Sequence, residues 1–250
     1  MEDNYIFGKN AVLEALNSDR EINKILISKN LHADTKLNTI KELAHAKNIV
    51  FQFVAKEKFA PFNEFNHQGV MAYTSPIKYT DLDEFLEKEH KNSSVVILDG
   101  VEDPHNLGAI IRTCVCAGVE GIIIPSRRNA QINSIVEKTS AGAINHIPII
   151  KVNSLVNAIQ KLQKSDWWII ATDASAKDNY YDIDYNDMNF GIVMGAEHSG
   201  VSKSIVNNAD MLVKIPMLRD FNSLNVSNAL SIIIFEAVRQ KCIKNKQRLG

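Results

Sequence analysis

Three short stretches hold the side chains from which a reaction centre could be assembled. The first, 99–113, carries Asn106 and, six positions on, Arg112. The second reads Gly195-Ala196-Glu197-His198-Ser199-Gly200. The third runs from Ile215-Pro216-Met217 through Arg219 to Ser223-Leu224-Asn225-Val226-Ser227-Asn228. Ser223 and Asn225 are both N-cap types, so the third stretch offers free backbone N–H groups where a helix begins, a place that suits a carboxylate, a phosphate or a cofactor edge. An ordinary strand-to-helix turn would look the same. The glycines of the second stretch permit close backbone approach to a ligand. Their spacing is neither the G-x-G-x-x-G dinucleotide fingerprint nor a P-loop, which needs a Gly-Lys-Ser/Thr ending. A lone arginine such as Arg112 is most simply an ion-pair partner.

Each stretch follows an apolar, β-rich run. Such runs occur at 95–98, 121–124, 147–150, 167–171, 192–194 and 211–215, with helical stretches between most of them. Continuous apolar strands separated by helices predict an α/β fold with a parallel sheet covered on both faces, in which ligands sit beyond the carboxyl ends of the strands. All three stretches fall at those ends. The last strand feeds a helix with Val226, Leu230, Ile233, Ile234, Ala237 and Val238 on one face.

Residues 1–76 predict a small α/β domain: a helix around Ala11, Val12, Ala15 and Leu16, a strand at 22–27, a helix at 37–46, and strands at 49–54 and 69–74. Five phenylalanines between Phe51 and Phe65 serve as its core, base stacking being the alternative. Lys9, Arg20, Lys24 and Lys29 are phosphate contacts or plain surface cations. Residues 77–93 form the joint. Within it Thr80 and Asp83 suggest a capping box for a short helix striped with Leu82, Phe85 and Leu86.

The 250 residues are 45% hydrophobic and 23% charged, the balance of a globular protein, and suffice for one domain or two. A net charge of −1 excludes a surface that is basic throughout but leaves room for a local basic patch. No leader-like opening and no apolar run of 18 residues occurs, which predicts a cytoplasmic protein without a membrane span. Three cysteines make no disulfide framework, and the seven histidines have no metal-ligand spacing, so no metal is expected. Arg239, Lys241, Lys244, Lys246 and Arg248 make a basic end, either an RNA contact or a solvated tail.

Asn106-Leu107-Gly108 with Arg112, Gly195-Ala196-Glu197 with Gly200, and Ile215-Pro216-Met217 with Ser223-Leu224-Asn225-Val226-Ser227 together resemble the three motifs of the SpoU (TrmH-like) ribose 2′-O-methyltransferases of the SPOUT superfamily. Arg127-Arg128, Lys138 and Ser140-Ala141-Gly142-Ala143 resemble the middle segment of bacterial members that methylate a guanosine ribose in large-subunit ribosomal RNA. Phe7-Gly8-Lys9-Asn10-Ala11-Val12 and His67-Gln68-Gly69-Val70 resemble the borders of their RNA-binding domain. The resemblance implies an RNA-binding domain over 1–76, a linker over 77–93, and a methyltransferase domain over 94–250 whose C-terminal part is threaded as a trefoil knot. It implies a homodimer with active sites shared between subunits; the apolar face from Val226 to Val238 suits either a dimer seam or a core helix. S-adenosylmethionine is then the cofactor, held by Thr172, Gly195, Ala196, Ile215, Met217 and Leu224. Arg112, Asn106, Glu197, Ser223 and Asn225 become the catalytic group, and Arg127, Arg128 and Lys9 RNA contacts. A guanidinium is a permanent cation, better suited to clamping phosphate and stabilising an alkoxide than to acting as a base. Arg219 departs from the motif, which commonly has glycine there; it either crowds the cofactor loop or points outward. The same chemistry on transfer RNA, and a non-catalytic RNA-binding assembly protein of the same fold, are the alternatives.

Overall fold

In the computed structural model, residues 4–18, 20–63, 66–219 and 223–249 are described, residue 4 and residues 245–249 by backbone alone. The chain divides into two compact units, Met1–Lys78 with Ile132–His146, and Tyr79–Gln131 with Ile147–Gly250.

The first unit is a four-stranded sheet in the order β1-β4-β2-β3, with β1 Asn4–Phe7, β2 Ile22–Ser28, β3 Phe51–Val54 and β4 Val70–Thr74. β2 runs parallel to β3 and antiparallel to β4. Alternation along the strands sends Ile25, Ile27, Val70 and Ala72 into a core shared with α1 (Lys9–Asn17) and α2 (Thr35–Ala46), and Leu26 and Met71 to the other face with Phe59. Of the phenylalanines expected in the core, Phe59 is buried, whereas Phe53 is 45% exposed beneath the Lys41 ammonium. Phe65 lies outside the described residues. Lys9 is not a free cation: its Nζ pairs with Asp34 Oδ2 at 2.5 Å and holds the Asp34 carboxyl below its usual range. Nor is Arg20 a surface group. It donates to Thr74 Oγ1 and to Glu137 Oε1, each side chain of the ion pair being 7% exposed. Glu137 belongs to α5 (Ser134–Thr139), part of the segment that comes to this unit from between two strands of the other. Gly142 seats the same segment: its φ is 87°, and a Cβ there would stand 2.5 Å from Glu14 Cβ.

The second unit is a seven-stranded sheet in the order β7-β6-β5-β10-β8-β11-β9, parallel at every pairing. Its strands are β5 Ser94–Asp99, β6 Gly121–Pro125, β7 Ile149–Val152, β8 Trp167–Thr172, β9 Asp178–Asn179, β10 Asn189–Gly195 and β11 Met211–Lys214. The expected parallel sheet is therefore present, its third strand two residues later than the apolar run suggested. The helices are α3 Leu82–Leu86, α4 Pro104–Cys116, α6 Leu155–Lys164, α7 Lys203–Val206 and α8 Val226–Leu249. Asp81, not Thr80, caps α3, accepting from the Asp83 and Glu84 amides. Thr80 is drawn away because its own amide donates to Ile149 O, extending the sheet by one bridge. Along α8, Val226, Leu230, Ile233, Ile234 and Ala237 are all at most 5% exposed. Those residues pack into the chain's own core, Val238 is half-buried, and Ile232 and Phe235, at 37% and 44%, are exposed.

Candidate functional site

The carboxyl ends of β5, β10 and β11 deliver the three motifs of the second unit. After β5, Asp103 accepts from the His105 amide and Pro104 occupies the first helical position, so α4 starts abruptly and carries Asn106, 7% exposed, in its first turn. After β10, Ala196 and Gly200 form an isolated bridge that folds the chain back on itself. A Cβ on Gly195 would lie 2.0 Å from the Gly200 carbonyl carbon, so only glycine fits this hairpin. After β11, Asn225 caps α8, its Oδ1 accepting from Ser227 N at 2.9 Å, Ser227 Oγ at 2.6 Å and Asn228 N at 3.4 Å.

Three of the five catalytic candidates meet there. Asn225 Nδ2 donates to Asn106 Oδ1 at 2.9 Å and reaches Glu197 Oε1 at 3.4 Å; Asn106 Nδ2 donates to the same Glu197 oxygen. The Asn225 oxygen is thus fully used by the cap, the Asn106 oxygen accepts one bond, and Glu197 Oε2 makes no hydrogen bond among the described residues.

Two cavities flank this network. The smaller, about 420 Å³, is lined by all six cofactor candidates, Thr172, Gly195, Ala196, Ile215, Met217 and Leu224, and also by Ser223. Thr172 spends its hydroxyl on Val193 O at 3.0 Å, and Glu197 and Lys214 border the same space. Asp173, which sequence reasoning passed over, lines it as well. Hydrogen bonds from the Ser175 hydroxyl and amide hold its carboxyl below the usual range and so keep it charged. Its place one residue beyond the end of β8 was the available signal. An apolar slot beside a helix start, with one fixed carboxylate and one hairpin too tight for any side chain, fits a flat heteroaromatic cofactor that also carries an amine or vicinal hydroxyls.

The larger cavity, about 710 Å³, lies on the other side of the 196–200 hairpin and is lined by Asn106, Glu197, Arg127 and Arg128. Arg112 lines neither cavity. It is exposed on α4 and makes no ion pair or hydrogen bond among the described residues. Arg219 is exposed and lines neither cavity. Asp220, Phe221 and Asn222 lie outside the described residues, as do the side chains of Lys246 and Arg248. His105 is exposed, and His198 borders both cavities.

Residues 93–235 match the SpoU rRNA methylase family, and 5–80 match the RNA 2′-O ribose methyltransferase substrate-binding domain. A Staphylococcus saprophyticus protein assigned to the TrmH family of tRNA/rRNA methyltransferases is 41% identical over 244 residues, 96% of this chain and 97% of its own. The AdoMet-bound rRNA methyltransferase of Sinorhizobium meliloti superposes with a TM-score of 0.80 at 25% identity, over 95% of this chain and 87% of its own. The SpoU methyltransferase AviRb of Streptomyces viridochromogenes shares the fold, with a TM-score of 0.83 at 21% identity over 97% and 91% of the two chains.

Proposed function

This chain belongs to the SpoU rRNA methylase family of RNA ribose 2′-O-methyltransferases, and we propose that it methylates the 2′-hydroxyl of a guanosine in large-subunit ribosomal RNA. The single observation that carries the reading is the Asn106–Glu197–Asn225 network, set between a cofactor-sized cavity and a second, larger one. S-adenosylmethionine would be held in the smaller cavity and would supply a sulfonium-activated methyl group. The Gly195 hairpin with Ile215, Met217 and Leu224 would hold it through backbone groups, and Asp173 would take a hydroxyl or amine. Glu197 Oε2 would orient the ribose, with Ser223 on the cofactor side. On transfer of the methyl group the hydroxyl proton would leave to solvent, and a guanidinium would stabilise the developing alkoxide. Arg112 supplies that guanidinium from a second copy of the chain, which makes the working enzyme a homodimer. We take the first unit, together with Arg127 and Arg128, to grip the RNA, and the C-terminal segment to be threaded as a knot. Ribosomal RNA is favoured because the Sinorhizobium meliloti rRNA enzyme aligns over nearly the full chain, first unit included.

The test uses purified protein, labelled S-adenosylmethionine, and unmodified ribosomal and transfer RNA in separate reactions, followed by nucleoside analysis. Ribose-methylated guanosine from ribosomal RNA, lost in Arg112→Ala, is the expected result. Label on transfer RNA alone would move the target, and absence of cofactor binding would overturn catalysis itself.

A further inference from the structure

The larger cavity has a chemistry of its own. Residues 196–200 and Val226 border it on one side and the cofactor cavity on the other, so its occupant stands one hairpin away from the methyl donor. Its volume, about 710 Å³, falls within the range of roughly 300–1,000 Å³ typical of small-molecule sites. Arg127 and Arg128 line it as neighbours in sequence, and neither has an ion-pair partner among the described residues. Arg128 holds a φ of 57°, a conformation rarely adopted by side-chain-bearing residues. Both side chains are exposed, two cations free to meet an anion in the cavity.

Four carboxylates line the same cavity, and they are not equivalent: Glu197 is engaged through Oε1 by Asn106 and Asn225 at the border with the cofactor cavity. Asp99 Oδ2 accepts from the Ser202 amide at 2.8 Å, tying the end of β5 to the segment after the hairpin. Asp103 caps α4. Glu102 is exposed and has no hydrogen-bond or ion-pair partner among the described residues. A cavity with paired cations and a free carboxylate sorts its ligand: phosphate goes to the arginines, and a neutral group with hydrogen-bond donors goes to Glu102.

We propose that this cavity receives the acceptor nucleotide, its phosphate on Arg127 and Arg128 and its base read by Glu102, and that this selects guanine. Guanine alone among the four bases presents two adjacent donors, N1–H and the N2 amino group, to both oxygens of one carboxylate. Adenine and cytosine offer only an amino group at the corresponding edge, and uracil only one N–H. Recognition of a base splayed out of the RNA by its Watson–Crick edge is the usual mode for sequence-specific reading of single strands. The proposal rests on the methylated nucleoside being guanosine.

The experiment uses the full-length protein. The methylated nucleotide is identified first, and synthetic RNAs are then made with guanosine or inosine at that position; inosine lacks the N2 amino group. Wild-type protein should favour the guanosine RNA by about tenfold or more in kcat/KM, the worth of one hydrogen bond to a charged group. Glu102→Gln should lower kcat/KM on the guanosine RNA and bring the guanosine-to-inosine ratio towards one. Its affinity for S-adenosylmethionine by calorimetry should be unchanged, because Glu102 lies outside the cofactor cavity. Arg127→Ala/Arg128→Ala should raise KM on both RNAs alike. A guanosine-to-inosine ratio that survives in Glu102→Gln, or is absent in wild type, overturns the pocket and leaves the methylated guanosine standing. Methylation of another nucleoside overturns both.

Discussion

Asn225 Nδ2 stands 2.9 Å from Asn106 Oδ1 because the other end of the Asn225 amide is already committed. Its Oδ1 caps α8, where only an oxygen can accept from the Ser227 and Asn228 amides. The nitrogen must therefore face Asn106, which turns the Asn106 nitrogen onto Glu197. A helix cap thus sets the direction of every hydrogen bond in the network, and a stability device doubles as an orienting device.

Asn225→Asp separates the two roles. Aspartate caps helices as well as asparagine and suits the positive end of the α8 dipole, so the cap is kept, although the carboxylate it sets beside Glu197 should lower the thermal midpoint somewhat. Methyl transfer should fall by about tenfold or more, because the donor to Asn106 is gone and a second carboxylate faces Glu197. Asn225→Ala should lose activity and also about 1 kcal/mol of stability with the cap. Calorimetry alongside a methyl-transfer assay distinguishes the two; equal activity in Asn225→Asp and wild type would show that the network plays no part in turnover.

Gly195→Ala tests the hairpin between the cavities. The added methyl would meet the Gly200 carbonyl carbon at 2.0 Å and the Val201 nitrogen at 2.2 Å, both backbone atoms that cannot step aside. Calorimetric titration should show S-adenosylmethionine affinity falling by more than about tenfold. Gly118→Ala is the control: φ is 71°, but nothing lies within 4 Å of the new atom. It should cost about 1 kcal/mol of stability through backbone strain and leave cofactor affinity alone.

The parallel sheet was legible because Val95 to Leu98 and Ile122 to Ile124 are apolar on both faces, a pattern that an exposed sheet edge does not tolerate. The network was legible as three motifs, although their meeting depends on a strand order, β5-β10-β8-β11, that no local pattern specifies. Asp173 was missed because its relevance lies in the Ser175 bonds that keep it charged beside the cavity, not in a motif. The allegiance of 132–146 was equally invisible. It depends on Arg20 finding Glu137 across 117 positions and on the missing Cβ of Gly142, both tertiary matters.

That Arg20–Glu137 pair makes a prediction about stability and pH. Arg20 Nε and Nη1 and Glu137 Oε2 are buried without a hydrogen-bond partner among the described residues, so the pair is incompletely satisfied. Burial raises the Glu137 carboxyl above its ordinary range, with Arg20 opposing the rise. Arg20→Met should cost about 3–5 kcal/mol at neutral pH by leaving the carboxylate unpaired. A native group whose pKa is raised binds its proton more tightly than the unfolded chain does, so its contribution is fullest below the ordinary carboxylate range and is lost as pH rises through the native value. The deficit of Arg20→Met should therefore shrink on acidification. Arg20→Met/Glu137→Met should come within about 1 kcal/mol of wild type or exceed it. Urea denaturation of the full chain at pH 5 and pH 8 checks all three.

Arg112 sits six residues after Asn106 on α4, and at 100° per residue it points some 240° around the helix from it. One α4 therefore does not aim both side chains at one ribose, and Arg112 makes no ion pair or hydrogen bond among the described residues to hold it elsewhere. If each site borrows Arg112 from a second copy, Arg112→Ala and Glu197→Gln should each be inactive alone, since every site lacks one group. After unfolding and joint refolding, half of the dimers should be mixed, and in those one of the two sites is intact. Activity should return to about a quarter of wild type. Native mass spectrometry counts the mixed dimers independently. Mixed dimers without recovered methyl transfer would mean that Arg112 serves its own chain, by a movement of α4 large enough to bring it round to Glu197.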